Sequence, residues 1–219
     1  MTTSETFATF LPGAAGFGNF WSPVVERLPS TWRTQLVDLP GFGPVPPRPD
    51  VVSYDSLVDH VAGALSDPAV LVGQSMGGFV ALQLALRYPQ LVTHLVLAVA
   101  AGGVDMAAQG ASDWRADYRR SHPQAQTWVC DAVPDLTDEL RTITIPVLLL
   151  WATRDPLSPL SVALKIASEI PHAQLVTFET DDHWIARQRP DGTAQAIRAF
   201  IDETGPRATV KTTPKEKSQ

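Results

Sequence analysis

Six short and almost continuously apolar segments recur along this chain of 219 residues, and helical patterns separate most of them. They predict strands at residues 6–11, 34–39, 69–73, 94–100, 147–152 and 174–178. The intervening patterns predict helices at residues 20–28, 53–65, 77–88, 160–170 and 193–201. Apolar strands of this kind are typical of a parallel sheet covered on both faces, and strand–helix alternation indicates a doubly wound α/β fold. We therefore predict a mostly parallel sheet of about six strands with helices on both faces.

Two segments interrupt this alternation. Residues 104–142 separate the fourth and fifth predicted strands and carry aromatic residues among charged ones, which predicts an insertion over the sheet edge. Residues 205–219 are polar and lack periodicity, so we predict a disordered tail there. The expected organisation is a single domain over residues 1–204 that contains this one insertion.

Composition argues against several functions. The formal net charge is −6 and no stripe of Lys and Arg precedes the tail, which disfavours nucleic acid and anionic membranes as partners. No apolar run approaches the ~20 residues of a membrane span, and the first residues lack the basic and apolar parts of a signal peptide. The single Cys130 leaves no internal disulfide and no cysteine cluster for zinc. We expect a cytoplasmic monomer or homodimer that acts on a small molecule.

The third predicted strand runs directly into Gly-Gln-Ser-Met-Gly at residues 73–77, and a helical pattern follows at once. This is the strand–turn–helix context of a G-x-S-x-G nucleophile elbow. The turn is so sharp that a side chain at Gly73 or Gly77 would collide with the neighbouring strand or helix. Ser75 is then held exposed at the tip, beside the positive end of a helix, where it can attack a carbonyl. The pattern alone is weak evidence, so the role also requires an oxyanion hole, an acid and a histidine.

A loop that reads Pro-Gly-Ala-Ala-Gly at residues 12–16 follows the first strand and can turn its backbone N–H groups towards a ligand. It lacks the lysine of a phosphate-binding loop. With this loop, the serine elbow and an Asp-Leu-Pro-Gly-Phe-Gly stretch at residues 38–43, the chain resembles the α/β-hydrolase family over residues 6–201. The resemblance implies an esterase-like or thioesterase-like serine hydrolase with a short lid, whose oxyanion hole uses the backbone N–H groups of Ala14 and Met76. The family has His where this chain has Pro12, which alters the support of that hole.

The resemblance also implies an acid and a base. Asp155 follows the fifth predicted strand, and the order Ser…Asp…His is that of the family. Asp105, after the fourth strand, is the rival acid, and the alternative role of Asp155 is to cap the next helix. His183 follows the last predicted strand and is the expected base. Asp182 stands before it where the family usually has Gly, and we expect it to crowd the loop or to raise the pKa of the histidine.

These parts predict acyl transfer without cofactor or metal. Ser75 attacks an ester or thioester carbonyl, His183 takes the proton of Ser75, and Asp155 orients His183. Aromatic residues of the insertion and of the neighbouring loops are candidates for substrate binding, with simple packing as their alternative role. This candidate set consists of Phe17, Trp21, Trp114, Tyr118, Trp128 and Trp184.

Other functions stay open from the sequence. The general plan is similar to that of carboxyl esterases acting on acyl-carrier methyl esters, which does not specify a substrate. A lyase of the menaquinone-pathway type would use the same triad for proton abstraction, and would need basic residues such as Arg115, Arg119 and Arg120 for an anionic substrate. A ligand-binding relative would keep the triad but turn over slowly.

Overall fold

The structure is a computed structural model that describes residues 5–205 of the chain. Its strands are β1 (Phe7–Leu11), β2 (Arg33–Leu36), β3 (Ala69–Gln74), β4 (Val92–Ala98), β5 (Val147–Ala152) and β6 (Gln174–Phe178). Its α-helices are α1 (Ser22–Val25), α2 (Tyr54–Ala64), α3 (Met76–Arg87), α4 (Arg115–Ser121), α5 (Thr137–Leu140), α6 (Leu160–Glu169), α7 (Ile185–Gln188) and α8 (Pro190–Thr204). Three short 3₁₀ helices lie at Gly18–Trp21, Pro89–Leu91 and Thr127–Cys130.

The six strands form one parallel sheet in the order β2-β1-β3-β4-β5-β6. Every residue of β3 and β5 is buried, whereas the edge strands β2 and β6 are mostly half-buried. The central strands therefore read as unbroken apolar runs because helices cover the sheet. Helices α2 and α3 pack on each other, while α1, α7 and α8 form a separate group of contacting helices. The predicted doubly wound α/β fold is confirmed.

The strand order reverses between β1 and β3, which are neighbours in the sheet although β2 separates them in the chain. At such a switch point the loops that follow the two strands diverge and leave a crevice at their carboxyl ends. The loop after β1 holds Ala14, and Ser75 comes directly after β3. The topology alone thus brings the predicted serine and the predicted oxyanion loop to one crevice.

Several element boundaries differ from the prediction. The helix predicted at residues 20–28 is a 3₁₀ turn followed by the short α1, and the N–H of the first residue of that turn, Gly18, donates to Asp38 Oδ1 at 2.7 Å. Asp38 is therefore a structural residue here. Strand β4 ends at Ala98 because Val99 has a φ of 41°, which no strand residue adopts. Helix α8 begins three residues before the predicted start at Thr193, and α7 was absent from the prediction.

The segment between β4 and β5 holds α4, the 3₁₀ turn Thr127–Cys130 and α5, and it contains the insertion predicted at residues 104–142. We call this segment, residues 99–146, the lid. The tail predicted to be disordered lies outside the described residues from residue 206 onwards. Within residues 5–205, no helix combines the length and the apolar character that crossing a membrane requires.

Candidate active site

Ser75 occupies the sharp turn between β3 and α3, with φ 53° and ψ −119°. Backbone bonds hold this conformation: the Ser75 N–H donates to Ala98 at 3.0 Å, and the Ser75 carbonyl accepts from Ala101 at 3.0 Å. A Cβ atom at Gly73 would lie 2.3 Å from the Gly77 carbonyl oxygen, and one at Gly77 would lie 2.4 Å from that of Pro12. Both flanking positions therefore need glycine, for the steric reason that the motif suggested.

His183 and Asp155 meet at the carboxyl ends of β5 and β6. The His183 Nδ1 lies 2.6 Å from Asp155 Oδ2, and the two side chains are 13% and 0% exposed. The second carboxylate oxygen, Oδ1, accepts from the Leu157 N–H at 2.8 Å. With both its oxygens engaged, the carboxylate holds one orientation of the imidazole and leaves the Nε2 atom of His183 for proton transfer. Ser75 and His183 line the same cavity.

The rival acid lies elsewhere. Asp105 is exposed, and its Oδ1 accepts from the Ala108 N–H at 3.0 Å in a turn of the lid. Asp182 also has a local role, since its Oδ1 accepts from the Trp184 N–H at 2.6 Å. The structure thus pairs His183 with Asp155 and uses Asp182 to shape the turn that carries the histidine.

The two residues predicted to form the oxyanion hole lie at the cavity that contains Ser75. Ala14 and Met76 both line it. The carbonyl of Gly13 accepts from the Gly16 N–H at 3.0 Å, and the Ala14 N–H lies on the opposite side of the same trans peptide group. Met76 is the first residue of α3, so its N–H is one of the donors that a helix start leaves without a partner. Between residues 5 and 205, neither N–H donates to a protein acceptor, which leaves both for an anionic oxygen.

One residue of this region escaped the sequence analysis. Gln74 is buried, and its Nε2 donates to the backbone carbonyl of His183 at 3.2 Å. It therefore ties the end of β3 to the loop that carries the histidine. The available signal was an amide side chain at the end of an otherwise apolar strand, because a buried amide needs a hydrogen-bond partner.

The cavity has a volume of ≈ 670 Å³ and is walled by the lid on one side and the strand ends on the other. Four of the predicted substrate-binding residues line it, namely Phe17, Trp114, Tyr118 and Trp184. Trp184 is 49% exposed, so it stands at the rim. Tyr54 and Met106 also line the cavity and were missed.

The structure does not bring the remaining two predicted residues to the cavity wall. Trp21 is fully buried beneath it, and its Nε1 donates to the Leu11 carbonyl at 3.0 Å. Trp128 donates to Gln126 Oε1 at 2.9 Å and packs edge-on against Phe42, with ring centroids 5.9 Å apart. Both side chains pack inside the protein, which is the alternative role that the sequence left open.

Two of the three arginines that could bind an anionic lyase substrate, Arg115 and Arg120, form hydrogen bonds or ion pairs within the protein. Arg115 lines the cavity, but its guanidinium donates to the Cys130 carbonyl at 3.1 Å and to Asp113 at 3.2 Å. Arg120 is exposed and pairs with Asp117 on α4. In the described part of the chain, no group of three His, Cys, Asp or Glu side chains could hold a metal ion.

Comparison with known proteins gives consistent matches. The profile described as alpha/beta hydrolase fold matches residues 9–125, and one described as TAP-like protein matches residues 112–212. A pimeloyl-[acyl-carrier protein] methyl ester esterase from Aeromonas hydrophila is 27% identical, over 84% of this chain and 91% of the relative. A 2-hydroxymuconate semialdehyde hydrolase from Pseudomonas sp. strain CF600 is 29% identical, over 88% of this chain and 84% of the relative.

Solved structures agree on the fold. A thermophilic esterase from Thermogutta terrifontis superposes with a TM-score of 0.75 at 24% identity, covering 94% of this chain and 92% of that one. At this identity the likeness establishes the fold alone. The two relatives by sequence are hydrolases by name.

Proposed function

Because the chain belongs to the alpha/beta hydrolase fold family, we propose that it hydrolyses a carboxylic ester or thioester through an acyl-enzyme on Ser75. The observation that carries the proposal is the pairing of a buried Asp155 carboxylate with His183, in a cavity that also holds the serine of the elbow. A serine in such a setting is activated by its neighbouring base rather than by its own pKa.

In the first half of the proposed reaction, the Ser75 Oγ attacks the carbonyl carbon while His183 accepts the hydroxyl proton. The tetrahedral oxyanion lies against the N–H groups of Ala14 and Met76. The C–O or C–S bond to the leaving group then breaks, and His183 gives its proton to the departing alcohol or thiol. An oxyanion donor of this kind contributes about 3–4 kcal/mol to the transition state.

Water completes the cycle. His183 takes a proton from a water molecule as the water oxygen attacks the acyl carbon, and collapse of the second tetrahedral intermediate returns the proton to Ser75. The products are a carboxylic acid and an alcohol or thiol, with one water consumed. The Asp155 carboxylate stabilises the imidazolium that forms in each half.

The name of the Aeromonas relative supports a methyl ester or related acyl ester as the substrate class. The Pseudomonas relative supports a second candidate, hydrolysis of 2-hydroxymuconate semialdehyde or a similar compound, since it matches at 29% identity over 88% of this chain. The first candidate fits the ester cleavage described above, whereas the second has no ester bond, so its hydrolysis would break a carbon–carbon bond instead. A cavity of ≈ 670 Å³ is large enough for the reacting part of either substrate.

A fluorophosphonate label followed by a substrate panel tests the proposal. We expect mass spectrometry to place one adduct on Ser75, and we expect turnover of p-nitrophenyl esters, acyl thioesters or 2-hydroxymuconate semialdehyde. Ser75→Ala should lose the label and lower kcat by ~10³-fold or more. The exposed Ser66 provides the matched control, because Ser66→Ala should keep both. An adduct elsewhere, or full turnover by Ser75→Ala, contradicts the proposal.

A further inference from the structure

The lid makes a direct hydrogen bond to the loop that carries Ala14. The Tyr118 hydroxyl, on α4, donates to the Ala14 carbonyl oxygen at 3.0 Å across 104 residues of chain. We propose that Tyr118 is a positioning residue for the oxyanion hole: it holds the Ala14 N–H in place, so that docking of the lid and the geometry of the hole are coupled. This inference rests on the proposed function, since it assigns a part within the same reaction.

The loop has little means of holding itself. Residues 12–16 comprise two glycines, two alanines and one proline, so none of their side chains can form a hydrogen bond. Glycine also leaves the backbone more conformational freedom than any other residue. The family usually has His at the position of Pro12, so this chain lacks a polar side chain there. An outside donor is needed, and Tyr118 is the lid residue that provides one.

The two hydrogen bonds bracket Ala14. The peptide group before it is held by the Gly16 N–H, which donates to the Gly13 carbonyl at 3.0 Å. The peptide group after it is held by Tyr118. With both neighbouring peptide planes fixed, the direction of the Ala14 N–H relative to Ser75 is fixed too. Transition-state stabilisation depends on this direction, because a displacement of about 1 Å in a catalytic group can cost ~10²-fold in rate.

The phenol is itself well anchored. Its ring stacks on His122 with centroids 4.5 Å apart, and it meets Trp114 edge-on at 5.4 Å. Tyr118 is 8% exposed. Burial raises the pKa of its hydroxyl to about 12, so the group remains a donor at any pH at which a hydrolase of this type works. A donor that is rigid and always protonated suits a positioning role.

Tyr118→Phe tests the inference, because it removes the hydroxyl and keeps the ring contacts. The variant loses one hydrogen bond and keeps the packing of the ring, so it stays folded. We expect kcat to fall by ~10- to 100-fold with KM within about twofold. This fall is smaller than the one caused by deleting an oxyanion donor, because the Ala14 N–H remains but is less well placed. Affinity for a trifluoromethyl ketone, which forms a tetrahedral adduct with the serine, should fall by the same factor. Affinity for the unreactive amide analogue of the substrate should not change.

Tyr88→Phe is the matched control. The Tyr88 hydroxyl donates to Asp59 at 2.6 Å, outside the cavity, so this variant should behave as the wild type. If the wild type turns over by a Ser75-dependent route and Tyr118→Phe equals it in kcat and ketone affinity, the positioning role is wrong and the proposed function stands. An equal loss for ketone and amide also overturns the inference, since it would indicate a general disturbance of the pocket. A wild type without Ser75-dependent turnover removes the proposed function, and this inference with it.

Discussion

The imidazole of His183 and the carboxylate of Asp155 lie 2.6 Å apart, although 28 residues of chain separate them. The pair forms where β5 and β6, neighbours in a parallel sheet, end at the same edge. The carboxylate is fully buried, and its other oxygen accepts a hydrogen bond from the Leu157 N–H. This arrangement distinguishes Asp155 from the exposed Asp105.

Asp155→Asn should lower kcat by ~10³- to 10⁴-fold, because an amide N–H facing Nδ1 selects the wrong tautomer of His183. Asp105→Asn should change kcat less than twofold, because Asp105 is exposed and bonds only within its own turn among the described residues. Steady-state kinetics on the same ester measure both variants. If Asp105→Asn lowered kcat more than Asp155→Asn, the acid that orients His183 would be Asp105.

Ser75→Gly should make the protein more stable than Ser75→Ala. A non-glycine residue at φ 53° and ψ −119° stores about 1–3 kcal/mol of backbone strain, which glycine relieves and alanine retains. Both variants lack the nucleophile, so the comparison separates strain from activity. Urea unfolding gives the two free energies, and equal values would indicate that the elbow is not strained.

Gly77→Ala should destabilise the fold by about 3 kcal/mol, since overpacking against rigid backbone cannot be relieved by a side-chain movement. The added Cβ would lie 2.4 Å from the Pro12 carbonyl oxygen and 2.5 Å from that of Leu11. Gly63, in α2, is the control, because nothing lies within 4 Å of its Cβ position. Gly63→Ala should raise stability by up to ~1 kcal/mol through helix propensity. Thermal or urea unfolding checks both signs, and a well-folded Gly77→Ala would refute the steric argument.

The free energy of unfolding should fall as the pH rises from about 10 to about 12. Burial raises the pKa of Tyr118 to about 12 and that of Tyr54 still further, whereas an unfolded tyrosine titrates near ~10. Below pH 10 both states keep the proton and the contribution is complete. Above it the unfolded chain releases the proton first, and the contribution is lost. Urea unfolding at pH 8 and at pH 11.5 measures the decrease.

Single substitutions assign that decrease to particular side chains. Tyr118→Phe and Tyr54→Phe should each flatten the alkaline decrease. Tyr88 is the comparison, because its pKa is raised mainly by a hydrogen bond to Asp59 at the surface, where solvent screens the effect. Tyr88→Phe should therefore flatten the decrease least. An alkaline decrease that survives in all three variants would have another origin.

The sequence predicted best where the signal was local. Strands β5 and β6 are bounded as predicted, because each is marked by a short run of strand-forming residues within its own segment. The elbow was equally local, since the steric demand on Gly73 and Gly77 arises within five residues. Because the carboxyl ends of parallel strands share one edge of the sheet, the sequence also predicts that Asp155 and His183 lie near each other.

Local sequence patterns did not predict which way a side chain points or which distant residue it contacts. Trp21 and Trp128 have the same composition signal as Trp114, yet they pack inward, and which side an aromatic ring takes depends on partners distant in the chain. The bond from Gln74 to His183 spans 109 residues and that from Tyr118 to Ala14 spans 104. Pairings of this range leave no trace in the periodicity of a single sequence.

The lid also has a consequence for protein engineering. Tyr118 donates to the loop after β1, and the Val129 carbonyl accepts from the Tyr54 hydroxyl at 2.8 Å, so these two bonds are among those that join residues 99–146 to the body. A chimaera that exchanges this segment for that of another hydrolase would therefore replace part of the scaffold behind the reacting carbonyl together with the wall of the pocket. Libraries built to alter selectivity by recombining lids should keep a phenol at residue 118 and a backbone acceptor opposite Tyr54.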